Sequence, residues 1–305
     1  MSEIDEGKYI WKNGQLVAWA EATTHVLTHA LHYGTAVFEG IRCYQTVHGS
    51  AVFRLRDHLK RMERSARMIG MELGYSVDEL MAATFETIRV NELKECYVRP
   101  IAYRGYGAVG VNPRSAPVDV AIIVWPWGAY LGAEALEKGI AAGISSWRQR
   151  SVNAIPGAVK SSASYLNSGL AKMEALDHGY GEAILLTESG LVAEGSGENI
   201  FVVRDGVIAT PPLADGVLAG LTRASIIQIA RDMGYTVLEQ SLVRSDLYIA
   251  DEVFFTGTAA ELTPVASVDG RQIGLPGPVT SALQTRFFDV VNGRVPEYDA
   301  WLDRV

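Results

Sequence analysis

A run of strand-type residues from Val118 to Trp125 is stopped by Pro126 and followed by Trp127-Gly128-Ala129-Tyr130-Leu131-Gly132. Proline cannot donate to a central ladder, and a stretch so rich in breakers joins elements rather than forming one. This stop lies well inside a chain of 305 residues, long enough for two cores. The expected organisation is a small N-terminal α/β domain over 1–125, an interdomain linker over 126–137 and a large C-terminal domain over 138–305.

Hydrophobic periodicity fills in the two halves. Leu55, Leu59, Met62, Ala66 and Ile69 recur at helical spacing. Leu166, Leu170, Met173 and Leu176 mark a second helix that ends at Gly179, and Ile226, Ile229 and Met233 a third that ends at Gly234. A strand begins near Ile140. From Ala183 to Pro211 the pattern becomes short strands with turns at Glu188-Ser189-Gly190 and Asp205-Gly206, and further strands follow at Thr236 to Val243 and Val253 to Phe255. Helices and strands mixed without a regular βαβ alternation indicate an α+β fold.

Composition excludes several classes. The net charge of −8 offers no basic face for nucleic acid. The most apolar stretch, Val120 to Trp125, is too short to span a bilayer, and the acidic, polar N-terminus carries no apolar signal core. Cys43 and Cys96 form neither a CxxC pair nor a metal spacing, which fits a reducing cytoplasm. No metal is expected: His25, His29 and His32 share a helical spacing, but no carboxylate or cysteine stands nearby before Glu39. A dinucleotide GxGxxG, a complete P-loop and a GxSxG elbow are all missing.

The residues that suggest chemistry are fewer. Of seven lysines, Lys160 alone sits among small and apolar neighbours, in Gly157-Ala158-Val159-Lys160-Ser161-Ser162-Ala163. A desolvated amine has a lowered pKa and attacks carbonyl groups, although a lysine snorkelling from a strand end gives the same local pattern. Gly220-Leu221-Thr222-Arg223 opens a helix, which is either a plain cap or a phosphate cradle. Thr256-Gly257-Thr258-Ala259-Ala260, at the end of an apolar strand, is either an ordinary turn or a second cradle. Glu194 lies between apolar runs in Val192-Ala193-Glu194-Gly195-Ser196-Gly197-Glu198-Asn199. It is a turn carboxylate or, held against a pyridine nitrogen, the group that keeps such a ring protonated.

Taken together, FEGIRCY, YVRPI, a lysine five residues before YLNSGLAKMEA, EGSGENIF, ATPP with LAGLTR, and GTAAELTPV occur in this order from about Tyr9 to the last strands. The chain thereby resembles the branched-chain amino-acid aminotransferases, two-domain enzymes of fold type IV (the D-amino-acid-aminotransferase-like architecture). The resemblance implies pyridoxal 5′-phosphate (PLP) bound as a Schiff base on Lys160, in the large domain. It implies Tyr165 at the phenolic oxygen, Glu194 at the pyridine nitrogen, and Arg61 with the backbone of Leu221, Thr222 and Thr258 at the phosphate. Read alone, Arg61 is a surface residue paired with Asp57 one turn earlier.

For the substrates, the resemblance implies backbone N–H groups of Thr258 and Ala259 at the α-carboxylate. It places Phe38, Tyr33, Tyr97, Trp127, Tyr130 and Val111 around an apolar pocket, and Arg99 at the distal carboxylate of glutamate. The resemblance also implies that Tyr33 and Val111 reach the neighbouring subunit's site, so a homodimer or higher homo-oligomer is expected. One departure is Ala163-Ser164, where related chains often have glycine and a larger polar residue. The activity implied is amino transfer between L-leucine, L-isoleucine or L-valine and 2-oxoglutarate. The rivals are transaminases of D-amino acids or (R)-amines, a PLP lyase, and a non-catalytic binding protein.

Overall fold

The computed structural model describes residues 5–127, 133–274 and 276–305. Residues 128–132 of the expected linker, and with them Tyr130, lie outside the described residues. The chain divides into two compact units, one comprising Met1–Gly128, Val159–Ala163 and Val290–Val305, the other Ala129–Ala158 and Ser164–Asp289.

The first unit is built on an antiparallel sheet. Its backbone is the long pair Cys96–Arg104 and Val118–Trp125, in register from Tyr97 opposite Trp125 to Arg104 opposite Val118. The strand Ala36–Phe38 pairs with Cys96–Arg104 so that Phe38 stands opposite Ile101. The helix Leu55–Met68 lays Leu55, Leu59, Met62 and Ala66 into the core, the face its spacing predicts. The helix Val77–Val90 starts at a capping box in which Ser76 and Glu79 satisfy each other's backbone N–H groups.

Two excursions bring distant chain into this unit. Leu302–Arg304 pairs antiparallel with Gly49–Phe53. Val159–Ala163 lies along Ala36–Phe38: Phe38 N–H donates to the Lys160 carbonyl at 3.1 Å, Ser162 N–H donates to the Ala36 carbonyl at 2.9 Å, and Val37 bridges Ser161. Val159 is buried in the same core. The boundaries expected from sequence made 138–305 one continuous domain carrying the lysine. The structure instead groups Lys160 with the first unit, because an edge strand offers its backbone hydrogen bonds to any segment that reaches it.

The second unit is a mixed sheet. Parallel pairs join Ile140–Arg148 to Glu182–Leu186 and to Glu261–Val268, while Asn199–Arg204, Glu252–Gly257 and Glu261–Val268 run antiparallel in succession. The helix Ser164–Asp177 packs on Ile140–Arg148 and Glu182–Leu186, with Ala171 and Ala175 clustered against Ala183 and Leu185. The larger residues whose spacing revealed this helix are on its outer face: Leu166, Met173 and Leu176 are exposed. Gly179 takes the left-handed conformation just past the helix, as expected. Among the described residues, no helix is long and apolar enough to cross a membrane.

Candidate active site

In the first unit, Lys160 projects from a segment held at both ends. Its own N–H donates to Ser65 Oγ at 3.3 Å, beside the two backbone bonds already described. Its Nζ lies 5.3 Å from the centre of the Phe38 ring. The Arg99 guanidinium carbon is 4.7 Å from the same ring centre, 5.3 Å from that of Tyr97 and 5.9 Å from that of Trp125. Tyr97 and Arg99 alternate onto one face of their strand, and Arg99 reaches the Tyr97 hydroxyl at 3.4 Å. Trp127 is 5.0 Å from Tyr97 between ring centres. Gly40 makes room for this group, since a Cβ there would sit 1.9 Å from Tyr97 Oη. Arg99 Nε is buried with no hydrogen-bond acceptor among the described residues. A guanidinium surrounded by rings and short of an acceptor is suited to a ligand carboxylate.

Arg61 is not a surface residue. Asp57, its expected partner, pairs with Arg54. Arg61 instead grips the fully buried Glu39 through Nε at 2.8 Å and a terminal nitrogen at 2.6 Å, and His58 Nδ1 lies 2.7 Å from Glu39 Oε2. Burial alone would raise the Glu39 carboxyl, but the charge and hydrogen bonds of Arg61 and His58 outweigh it, and its pKa falls to about 2. Burial, with the charges of Arg61 and Lys160, lowers His58 despite the opposing pull of Glu39. The triad therefore carries an ionised carboxylate, a guanidinium and a neutral imidazole at neutral pH.

Tyr33 and Val111 lie on a helix and a loop of this unit that are tied together. His29 ties the helix His29–Tyr33 to the loop after Arg104, bonding Gly110 O through Nε2 at 2.8 Å while its backbone N–H donates to Gly105 O at 3.1 Å. The rings of His29 and Tyr33 are 4.5 Å apart. Each of the three histidines considered for a metal has a hydrogen-bond partner inside the chain, and among the described residues no cluster of metal-ligating side chains occurs.

In the second unit, Glu194 is the penultimate residue of the strand Val192–Gly195, with both carboxylate oxygens engaged. Gln149 Nε2 donates to Oε1 at 2.5 Å, and Leu218 N–H at 3.0 Å and Asn199 Nδ2 at 3.3 Å donate to Oε2. Asn199 also donates to Leu218 O at 3.0 Å, and a Cβ on Gly220 would lie 2.0 Å from Asn199 Oδ1. Asn199 thus couples Glu194 to the start of the helix Leu221–Asp232, where Gly220 provides no side-chain cap. Thr258 and Ala259 form the turn between Glu252–Gly257 and Glu261–Val268. Burial lowers the Arg150 guanidinium against the opposing charge of Glu194, and Arg150 donates to Ser164 O at 3.1 Å.

Sequence reasoning missed Gln149, Asn199, Arg150, Glu39 and His58. Asn199 and Glu39 lie within segments already singled out, whereas Gln149 and Arg150 sit in a stretch with no pattern at all.

The Amino-transferase class IV family model matches residues 36–268. The Escherichia coli K12 branched-chain-amino-acid aminotransferase is 50% identical over 300 residues, covering 97% of both chains. That of Pseudomonas aeruginosa is 46% identical over 303 residues, covering 99% of this chain and 98% of its own. Among solved structures, the E. coli enzyme superposes with a TM-score of 0.96 at 49% identity, covering 98% of this chain and 99% of that one. The branched-chain amino acid aminotransferase of Thermobaculum terrenum in its PLP-bound holo-form gives 0.92 at 37% identity, covering 98% of each.

The buried triad generates a pH prediction. The folded pKa of Glu39 is below its ordinary 4.5, so its stabilisation is complete above that value and is lost as pH falls towards about 2. Glu39→Gln leaves Arg61 buried opposite an amide, and losing one partner of such a pair costs about 3–5 kcal/mol at neutral pH. Urea denaturation of parent and variant should show that loss and a shallower acid decline in the variant. Equal acid slopes would place the acid sensitivity elsewhere.

Proposed function

The chain belongs to the class IV aminotransferases, and from that premise we propose that it transfers the amino group reversibly between L-leucine, L-isoleucine or L-valine and 2-oxoglutarate, with PLP as cofactor. PLP supplies the electron sink that lets a Cα–H bond ionise. Its requirements fit residues present here: Glu194 is a buried acceptor already oriented by three N–H donors, and the helix at Leu221 begins without a side-chain cap.

Lys160 Nζ would hold the cofactor covalently and, as a free amine, would serve as the base for the substrate's Cα proton. Glu194 accepts from the pyridine N–H, and Tyr165 attends the phenolic oxygen. Arg61, oriented by Glu39, acts on the phosphate with the backbone of Leu221, Thr222 and Thr258. Backbone N–H groups of Thr258 and Ala259 take the α-carboxylate. Phe38, Tyr97, Trp127 and Tyr130 receive the side chain. A reducing compartment such as the cytoplasm suits the two free, buried cysteines.

The observation that carries the dual substrate range is Arg99. Its rings accept an isobutyl group, and its acceptor-poor guanidinium accepts the distal carboxylate of glutamate. Arg99→Ala should therefore slow the glutamate half-reaction far more than the leucine half-reaction. Truncating one partner of a buried charge pair costs about 2–5 kcal/mol, roughly 30- to several thousand-fold. Single-turnover conversion of the holoenzyme by each amino acid measures the two losses, and equal losses would assign Arg99 a structural role.

We also propose a homodimer in which Tyr33 and Val111 complete the partner's site. Val111 is 89% exposed and Val26 75%, and Leu31, Tyr33, Tyr106 and Val109 are exposed on the same helix and loops. An apolar surface of this kind is what an interface buries. Val111→Asp should yield an inactive monomer by sedimentation, and an active species with the mass of one chain would refute the assignment.

A further inference from the structure

Three buried carboxylates of the second unit cluster around the turn that follows Glu194. Glu182, fully buried, receives Lys172 Nζ at 2.7 Å on Oε2 and Ala183 N–H at 2.8 Å on Oε1. Glu194 has its three donors. Glu198, also buried, has neither a lysine nor an arginine of its own among the described residues: its Oε2 accepts the N–H of its neighbour Gly197, at 3.0 Å. Its placement is nevertheless tight. Its carbonyl accepts Gly195 N–H at 2.7 Å, closing the turn after Glu194. A Cβ on Gly195 would lie 2.7 Å from Glu198 Oε2, and one on Gly257 would lie 3.4 Å from Glu198 Cγ. The side chain is therefore packed against both the Glu194 turn and the strand end that leads into Thr258 and Ala259.

We propose that Glu198 is a positioning residue held as an un-ionised carboxylic acid, a neutral wedge that fixes the Glu194 turn and the Gly257–Thr258 strand end in place. Its role rests on the reading of Glu194 and Thr258 as cofactor contacts. The groups facing Glu198 are Glu182 on one strand, Glu194 on the next, Lys172 on the helix Ser164–Asp177, and the uncharged Thr256-Gly257 strand end. Lys172 offsets one carboxylate, its own partner Glu182. Ionising Glu198 would add a third negative charge in a desolvated space, with one backbone N–H as compensation. Burial foremost, then the charge of Glu182, raises its pKa to about 8, against the smaller opposing pulls of Gly197 N–H and Lys172. At neutral pH the acid is protonated. In alkali it ionises, is repelled by Glu182 and Glu194, and spreads the turn it had closed.

The folded state keeps the Glu198 proton up to about pH 8, whereas the ordinary value is 4.5. Stability therefore declines as pH rises through this window and levels off above it. Glu198→Gln, isosteric with the neutral acid, should remove that decline from urea-denaturation curves of the apo-protein. The infrared difference between parent and variant at neutral pH should show a carboxylic-acid C=O band.

With PLP as the probe, the parent's affinity should weaken by up to roughly tenfold per pH unit above the inflection, while the Gln variant lacks this component. Glu182→Gln removes the charge that raises Glu198, so the inflection should move to lower pH, and this second variant serves if the first folds poorly. A carboxylate signature at neutral pH, or an unchanged stability slope in Glu198→Gln, overturns the neutral acid. A confirmed neutral acid with parallel loss of PLP affinity in parent and variant overturns the positioning role. Because the infrared and stability measurements use apo-protein, their failure is distinct from a failure of the Glu194 assignment, which would show as PLP binding indifferent to Glu194→Gln.

Discussion

The placement of Lys160 depends on main-chain hydrogen bonds between Val159–Ala163 and the strand Ala36–Phe38. They fix the backbone of a residue whose long side chain would otherwise sample many positions. Lys160 is held by its carbonyl, by its N–H on Ser65 and by the buried Val159, so Nζ is tethered from a rigid base near Phe38. The next residue after Phe38 is Glu39, which orients Arg61. One short strand thereby sets the lysine, the aromatic wall and the guanidinium at once. Positioning of this kind is where an enzyme of this class derives much of its rate.

Electrostatics distinguishes carboxylates that look alike in sequence. Glu39 is stripped of water but meets a bidentate arginine and an imidazole, so it stays ionised. Glu194 accepts from the N–H groups of Gln149, Asn199 and Leu218 and also feels the charge of Arg150. Glu198, four residues on, meets one N–H and two other carboxylates, and keeps its proton. Burial pushes the Glu39 and Glu198 carboxyls the same way, and the charge and hydrogen bonds of the neighbours decide that the first ends low and the second high.

Local pattern was readable wherever a local rule governed. The helix Leu55–Met68 shows its core face in its spacing, and the turns at Gly190 and Gly206 lie where glycine adopts positive φ. Reading failed where the deciding contact was remote. Arg61 looks like a partner for Asp57 until the chain brings Glu39, twenty-two positions away, against it. The spacing of Leu166, Leu170, Met173 and Leu176 marks the helix Ser164–Asp177, yet it packs through Ala171 and Ala175, because close approach to the sheet requires small side chains and leaves Leu166, Met173 and Leu176 outside. The grouping of Val159–Ala163 with the first unit has no signal in composition, since a backbone pairing to a strand edge is nearly blind to side chains. The cofactor and substrate roles proposed for these residues rest on several motifs in order, each ambiguous alone.

Every role assigned to the site presupposes that Lys160 is the covalent anchor of the cofactor. Borohydride reduction of the purified holoenzyme, followed by peptide mass spectrometry, addresses this directly. The protein should be yellow, lose its colour on reduction and carry the phosphopyridoxyl mass on the peptide containing Lys160. Label on the peptide of any other lysine, such as Lys172, would contradict it.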